Sequence, residues 1–171
     1  RKVACEARLH LANVQYYFGT RDELLRALLE DTKERSLNEH ADVVAAAPSN
    51  PHEQLRALIT FKLQESLRPD SRRYRTRLWT VLDSLKSSDS PRLLDQLYEL
   101  DITALSKRIA EVDPVAGIIE IRRRATTVAA LNAGLTLVGG AHTASRAERC
   151  RLLARAQLLC LQIATGRFGT R

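Results

Sequence analysis

Apolar residues recur every three or four positions along most of this 171-residue chain, and proline, glycine and Ser/Asn/Asp breaks cut the runs apart. That spacing is helical, and no stretch alternates apolar and polar at the period of a half-buried strand. The fold class this implies is all-α. Pro48-Ser49-Asn50-Pro51 separates a long helix over 21–46 from one opened by Pro51, whose apolar face is Leu55, Leu58, Ile59, Leu63 and Leu67. Arg68-Pro69-Asp70-Ser71 precedes a helix over about 71–87, with Tyr74, Leu78, Val81, Leu82 and Leu85 on one side. Ser88-Asp89-Ser90-Pro91 opens the next, over about 91–112, carrying Leu93, Leu94, Leu97, Leu100, Ala104 and Leu105. Asp113-Pro114 is expected to start another that Gly139-Gly140 stops near Val138, and a last helix covers about 145–165.

The formal net charge is +7, which suits a nucleic-acid partner without proving one. Residues 1–21 hold four basic side chains against Glu6 alone, and residues 141–171 hold six arginines against Glu148. The second group has no aromatic interleaving and reads as a solvated helix face. No run of 18 apolar residues exists, so no membrane partner is expected. The charged start is no secretory signal. Cys5, Cys150 and Cys160 form no CxxC pair, and four scattered histidines give no metal-ligand spacing, so no metal or cofactor is expected. Reduced thiols fit a cytoplasmic protein, with Cys160 in the core. No P-loop, HExxH or GxSxG motif occurs, and the chain is not expected to be an enzyme.

Residues 9–25, LHLANVQYYFGTRDELL, carry the functional signal. Leu11 to Tyr17 spell a short helix bearing Asn13, Gln15, Tyr16 and Tyr17, side chains able to meet a DNA groove or a phosphate. Val14 and Phe18, at i and i+4, would anchor its back. Gly19 breaks the helix, and Thr20-Arg21-Asp22-Glu23 then reads as a capping box for the long helix.

This string resembles the end of the helix-turn-helix of TetR-family repressors, matching at Ala7, Leu9, Val14, Tyr17, Phe18, Thr20, Arg21, Leu24 and Leu25. The specific motif covers about residues 3–29. The Asn-Val-Gln-Tyr-Tyr-Phe run, with Arg-Leu-Trp at 77–79, is most similar to the BetI-type branch. Two positions depart. Arg8 stands where the family usually has glycine for a left-handed turn, which implies strain or a different turn. His10 stands where Ser or Thr would cap better. The family also has a first helix before the position of Arg1, which this chain lacks.

The resemblance implies two domains: a partial helix-turn-helix unit with its connecting helix over 1–46, and an effector-binding and dimerisation body over 47–171. It implies that Leu11, Ala12, Asn13, Gln15 and Tyr16 face the groove while Tyr17, Thr20 and Arg21 face phosphate. Asn and Gln can pair bidentately with adenine, and Leu11 can touch a thymine methyl. It also implies a homodimer on palindromic operator DNA, formed through the last two helices, where Ala125, Ala129, Ala130, Ala133 and Gly134 face Ala154, Ala156 and Ala164. The plain alternative for these small residues is packing within one chain.

Two polar residues interrupt apolar arcs. Asp101 falls among Leu94, Leu97, Ala104 and Leu105, and Asn132 among Ala125, Val128 and Ala129. A buried polar group without a partner costs about 1–3 kcal/mol, so each needs one. For Asp101 the partner is either an arginine of this chain or a ligand. For Asn132 it is a backbone carbonyl, a ligand or a dimer seam. Phe61, Trp79 and Tyr98 lie on the helices that surround an effector pocket in the resembling family. With Asp101 and Asn132 they make the candidate ligand-binding set. The leading expectation is a ligand-responsive DNA-binding transcriptional regulator, a repressor released by a small-molecule effector. The alternative is a helical small-molecule or protein-binding module without DNA binding.

Overall fold

The structure is a computed structural model and describes residues 1–68, 90–142 and 145–167. Every regular element in them is an α-helix: α1 (Lys2–Glu6), α2 (Leu11–Tyr17), α3 (Arg21–Ala46), α4 (Pro51–Ser66), α5 (Ser90–Val112), α6 (Ile118–His142) and α7 (Arg146–Ala164). The helix expected over 71–87, with Tyr74 and Trp79, lies outside the described residues, as do Phe168 and the packing of Leu93, Leu94 and Leu97. Contacts divide the chain into two compact units, Arg1–Ser36 and Leu37–Arg171, with α3 running through both.

In the first unit, α1 ends in a Schellman turn. Leu9 N–H donates to the Ala4 carbonyl (2.9 Å) and Arg8 N–H to that of Cys5 (3.1 Å). This turn requires a left-handed residue after the cap, and Arg8 supplies it at φ +54°. The chain accepts the strain of this conformation, which for an L side chain is about 1–2 kcal/mol. His10 caps α2 with extended backbone and no side-chain hydrogen bond. The start of α3 is better secured. Glu23 N–H donates to Thr20 Oγ1 (3.1 Å) and Thr20 N–H to Glu23 Oε2 (3.3 Å), the reciprocal capping box expected there.

In the second unit α4 is the central helix, packed against α5, α6 and α7. Asn50 caps it by accepting from His52 N–H (2.8 Å), with Pro51 at the first turn. Its inner face, Leu55, Leu58, Ile59 and Leu63, meets Ile102, Leu105 and Ile109 of α5, Ala125, Val128 and Ala129 of α6, and Cys160 and Ala164 of α7. Full burial of each large aliphatic side chain favours the fold by about 1.5–3 kcal/mol. Cys160 is wholly buried, and burial pushes its thiol up to about 11.

Both expected bounds of α6 are corrected. The helix begins at Ile118 rather than after Pro114, because Asp113 spends its carboxylate on Arg124 (2.7 Å) while Asp113 to Ala116 close a turn. It also continues through Gly139-Gly140 to His142. Glycine costs a helix only about 1 kcal/mol each relative to alanine, less than a stop requires. Arg124 also holds Glu120 (2.9 Å) and lies directly against Gly166, which ends α7 at φ +70°. A Cβ at 166 would sit 2.7 Å from the Arg124 guanidinium.

Candidate functional site

Seven residues form α2, and none of them is buried. Asn13, Gln15 and Ala12 are exposed, Leu11 and Val14 half-buried, and Tyr16 and Tyr17 are 84% and 74% exposed. The two tyrosine rings meet edge to face at 5.3 Å. The two exposed rings stand on the same short helix as the exposed amides of Asn13 and Gln15. Thr20 and Arg21 follow at the start of α3, both exposed. The Thr20 hydroxyl accepts from Glu23 N–H, so its own proton can still be donated outward. The eight residues expected to meet DNA thus fall in one continuous stretch of the first unit.

Among the described residues the candidate ligand residues do not gather into one site. Asp101 and Asn132 are buried, each at 4% exposure, but both are satisfied inside the chain. Lys62 Nζ donates to Asp101 Oδ1. Among the described residues the partner of Asp101 is this lysine. Ser66 Oγ donates to Asn132 Oδ1 (2.6 Å), a side-chain partner within the chain. Thr136 Oγ1 lies 2.9 Å from Ser66 Oγ and 3.0 Å from the Asn132 carbonyl oxygen. Lys62 and Ser66 stand four residues apart on α4, so one face of this helix serves both pairs.

Phe61 points elsewhere. It lines a cleft of about 450 Å³ with Val43, Ala47 and Pro48 at the end of α3, Ala57 and Thr60 of α4, and Gln157 of α7. His40 meets its ring edge-on at 6.3 Å. Tyr98 is half-buried on α5, and Trp79 lies outside the described residues.

The small residues of α6 and α7 divide between two roles. Ala125, Ala129 and Ala164 are buried in the chain's own core, so for them the plain packing alternative is the observed one. Ala130, Gly134, Ala147 and Ala154 are exposed, next to Leu158 at 60%. A Cβ placed on Gly134 would meet nothing within 4 Å.

Among the described residues no group of three or more His, Cys, Asp or Glu could hold a metal ion, and no helix is long and apolar enough to cross a membrane. The three cysteines are free. No family model, no curated protein and no solved structure matches this chain.

Proposed function

We propose that this chain is part of a ligand-responsive DNA-binding transcriptional regulator of TetR type, a cytoplasmic repressor released from a palindromic operator by a small molecule. The observation that carries this reading is α2. It is a short helix with nothing buried, two exposed tyrosines and two exposed amides, followed by a capped helix that begins Thr20-Arg21. In the proposed role Leu11, Ala12, Asn13, Gln15 and Tyr16 enter the major groove. Asn13 and Gln15 read base edges, and Tyr17, Thr20 and Arg21 hold phosphates. The exposed Ala130, Gly134, Ala147, Ala154 and Leu158 support a homodimer through α6 and α7, since small side chains let helices approach closely. Two copies would double the phosphate contacts and fix the half-site spacing.

The test begins by selecting duplexes from a random library and measuring affinity by fluorescence anisotropy against salt. Arg21→Ala should weaken binding to every duplex and lower the salt slope by about one counterion. Gln15→Ala should flatten preference at particular base pairs, worth about 1–3 kcal/mol each. Binding of wild type no tighter to selected than to unselected duplexes would remove the regulator reading.

A further inference from the structure

The side of α4 turned away from the core forms the floor of the cleft of about 450 Å³ at Phe61. At the helical repeat, Glu53, Ala57, Thr60, Phe61 and Gln64 share one stripe, on the opposite side of the helix from Lys62 and Ser66. The end of α3 contributes Val43, Ala47 and Pro48 to the lining, and α7 contributes Gln157. All of these residues belong to the second unit. The two ionic side chains that line the cleft, Glu53 and Arg56, pair with each other. Its remaining polarity comes from a hydrogen-bonded relay. Thr60 Oγ1 donates its proton to the Arg56 carbonyl oxygen at 2.7 Å. Thr60 can then only accept from Gln157, whose Nε2 donates to it at 2.7 Å. The relay fixes which way the Gln157 amide is turned. Nε2 is held by Thr60, and the Oε1 acceptor has no partner among the described residues.

We propose that this cleft binds an uncharged, mostly apolar small molecule carrying one hydrogen-bond donor. The donor meets Gln157 Oε1, and the apolar body lies against Phe61, Ala57 and Val43. The volume falls in the usual range of small-molecule clefts, about 300–1,000 Å³, and an apolar lining with a few oriented polar groups is their usual make-up. The paired charges select against ions. With Glu53 and Arg56 neutralising each other, a charged ligand would lose its hydration and gain no counter-charge. The fixed amide selects the donor, since an ether oxygen placed at Oε1 would set two acceptors face to face. The site is separate from Asp101 and Asn132, whose partners lie on the other side of α4. It stands whether or not the chain binds DNA.

Isothermal titration of the full chain at neutral pH with 1-naphthol, 1-methoxynaphthalene, 1-naphthoate and 1-naphthylmethylammonium tests it. 1-Naphthol should bind one per chain, at least about tenfold tighter than either ion. It should exceed 1-methoxynaphthalene, which lacks the donor, by about fivefold, the effect of one hydrogen bond. Gln157→Leu should erase that difference while changing the affinity for 1-methoxynaphthalene by less than about twofold, which a collapse of the cleft would not do. Ala57→Trp should block every probe by filling the floor. Where it disturbs the circular dichroism, Gln64→Trp at the exposed rim serves instead. Equal or tighter binding of either ion, or no heat from 1-naphthol up to its solubility limit, would overturn the proposal. So would a preference for 1-naphthol that survives Gln157→Leu, or binding untouched by the tryptophan variant.

Discussion

The pair of Lys62 and Asp101 makes a quantitative claim about the core. Their side chains are 5% and 6% exposed, on two different helices, α4 and α5. Replacing Lys62 with Met removes the ammonium and leaves a carboxylate where water hardly reaches. Replacing Asp101 with Leu strands the ammonium instead. Breaking a buried pair in this way costs about 3–5 kcal/mol, because the remaining charge keeps its desolvation penalty and loses its compensation. Against a typical total of about 5–15 kcal/mol, either single change should remove about a fifth or more of the stability. The double variant Lys62→Met/Asp101→Leu buries two apolar groups of similar size and should come within about 1 kcal/mol of wild type, or exceed it. The coupling from this cycle should therefore reach about 5 kcal/mol or more. The exposed pair of Lys33 and Glu30 serves as a control and should give about 0.2–1 kcal/mol. Equilibrium urea unfolding of the wild type and the three variants of each cycle measures both. A Lys62–Asp101 coupling under about 1 kcal/mol would mean that the pair is solvated and that α4 does not bury this face.

Three further changes probe other parts of the fold. Arg8→Gly should relieve the left-handed turn at φ +54° and stabilise the first unit by about 1 kcal/mol, read as amide exchange roughly fivefold slower in α1 and α2; unchanged exchange would refute the strain. Gly166→Ala should cost about 1–2 kcal/mol, because alanine resists φ +70° and its Cβ would displace the Arg124 guanidinium. For this chain length that lowers Tm by roughly 2–8 °C. Glu120 is held below its ordinary carboxylate range, first by the hydrogen bond from Arg124 and then by the charges of Arg124 and Arg123. A depressed carboxylate stabilises the fold above its unfolded pKa, and that contribution disappears as pH falls through the lowered folded value. Tm should therefore drop on acidification below the ordinary glutamate range, and Glu120→Gln should flatten that part of the curve.

Much of the helical layout is legible in the sequence because its signals are local. Thr20 with Glu23, and Asn50 with Pro51, mark helix starts through contacts within three residues. At Arg8 the sequence leaves strain and a different turn both open, and only through the resemblance; the backbone adopts the left-handed conformation. The start of α6 is not legible, because what moves it is the distant guanidinium of Arg124, which takes the Asp113 carboxylate eleven residues away.

The buried polar residues show the same division at longer range. Asp101 and Asn132 are conspicuous, being polar groups on apolar arcs. Their partners, Lys62 and Ser66, are set apart by no local motif. Yet Lys62 and Ser66 continue the series Leu55, Leu58, Ile59 at helical spacing, so they lie on the arc that faces the core. A lysine there is a signal that an acid must be buried opposite, and α5 offers Asp101. The outer face of the same helix escapes periodicity altogether. Its character depends on Arg146 and Arg149 arriving from α7, more than seventy residues away, and only the packing of α7 against α4 brings them beside Arg68. Sequence spacing can show that α4 has an inner stripe.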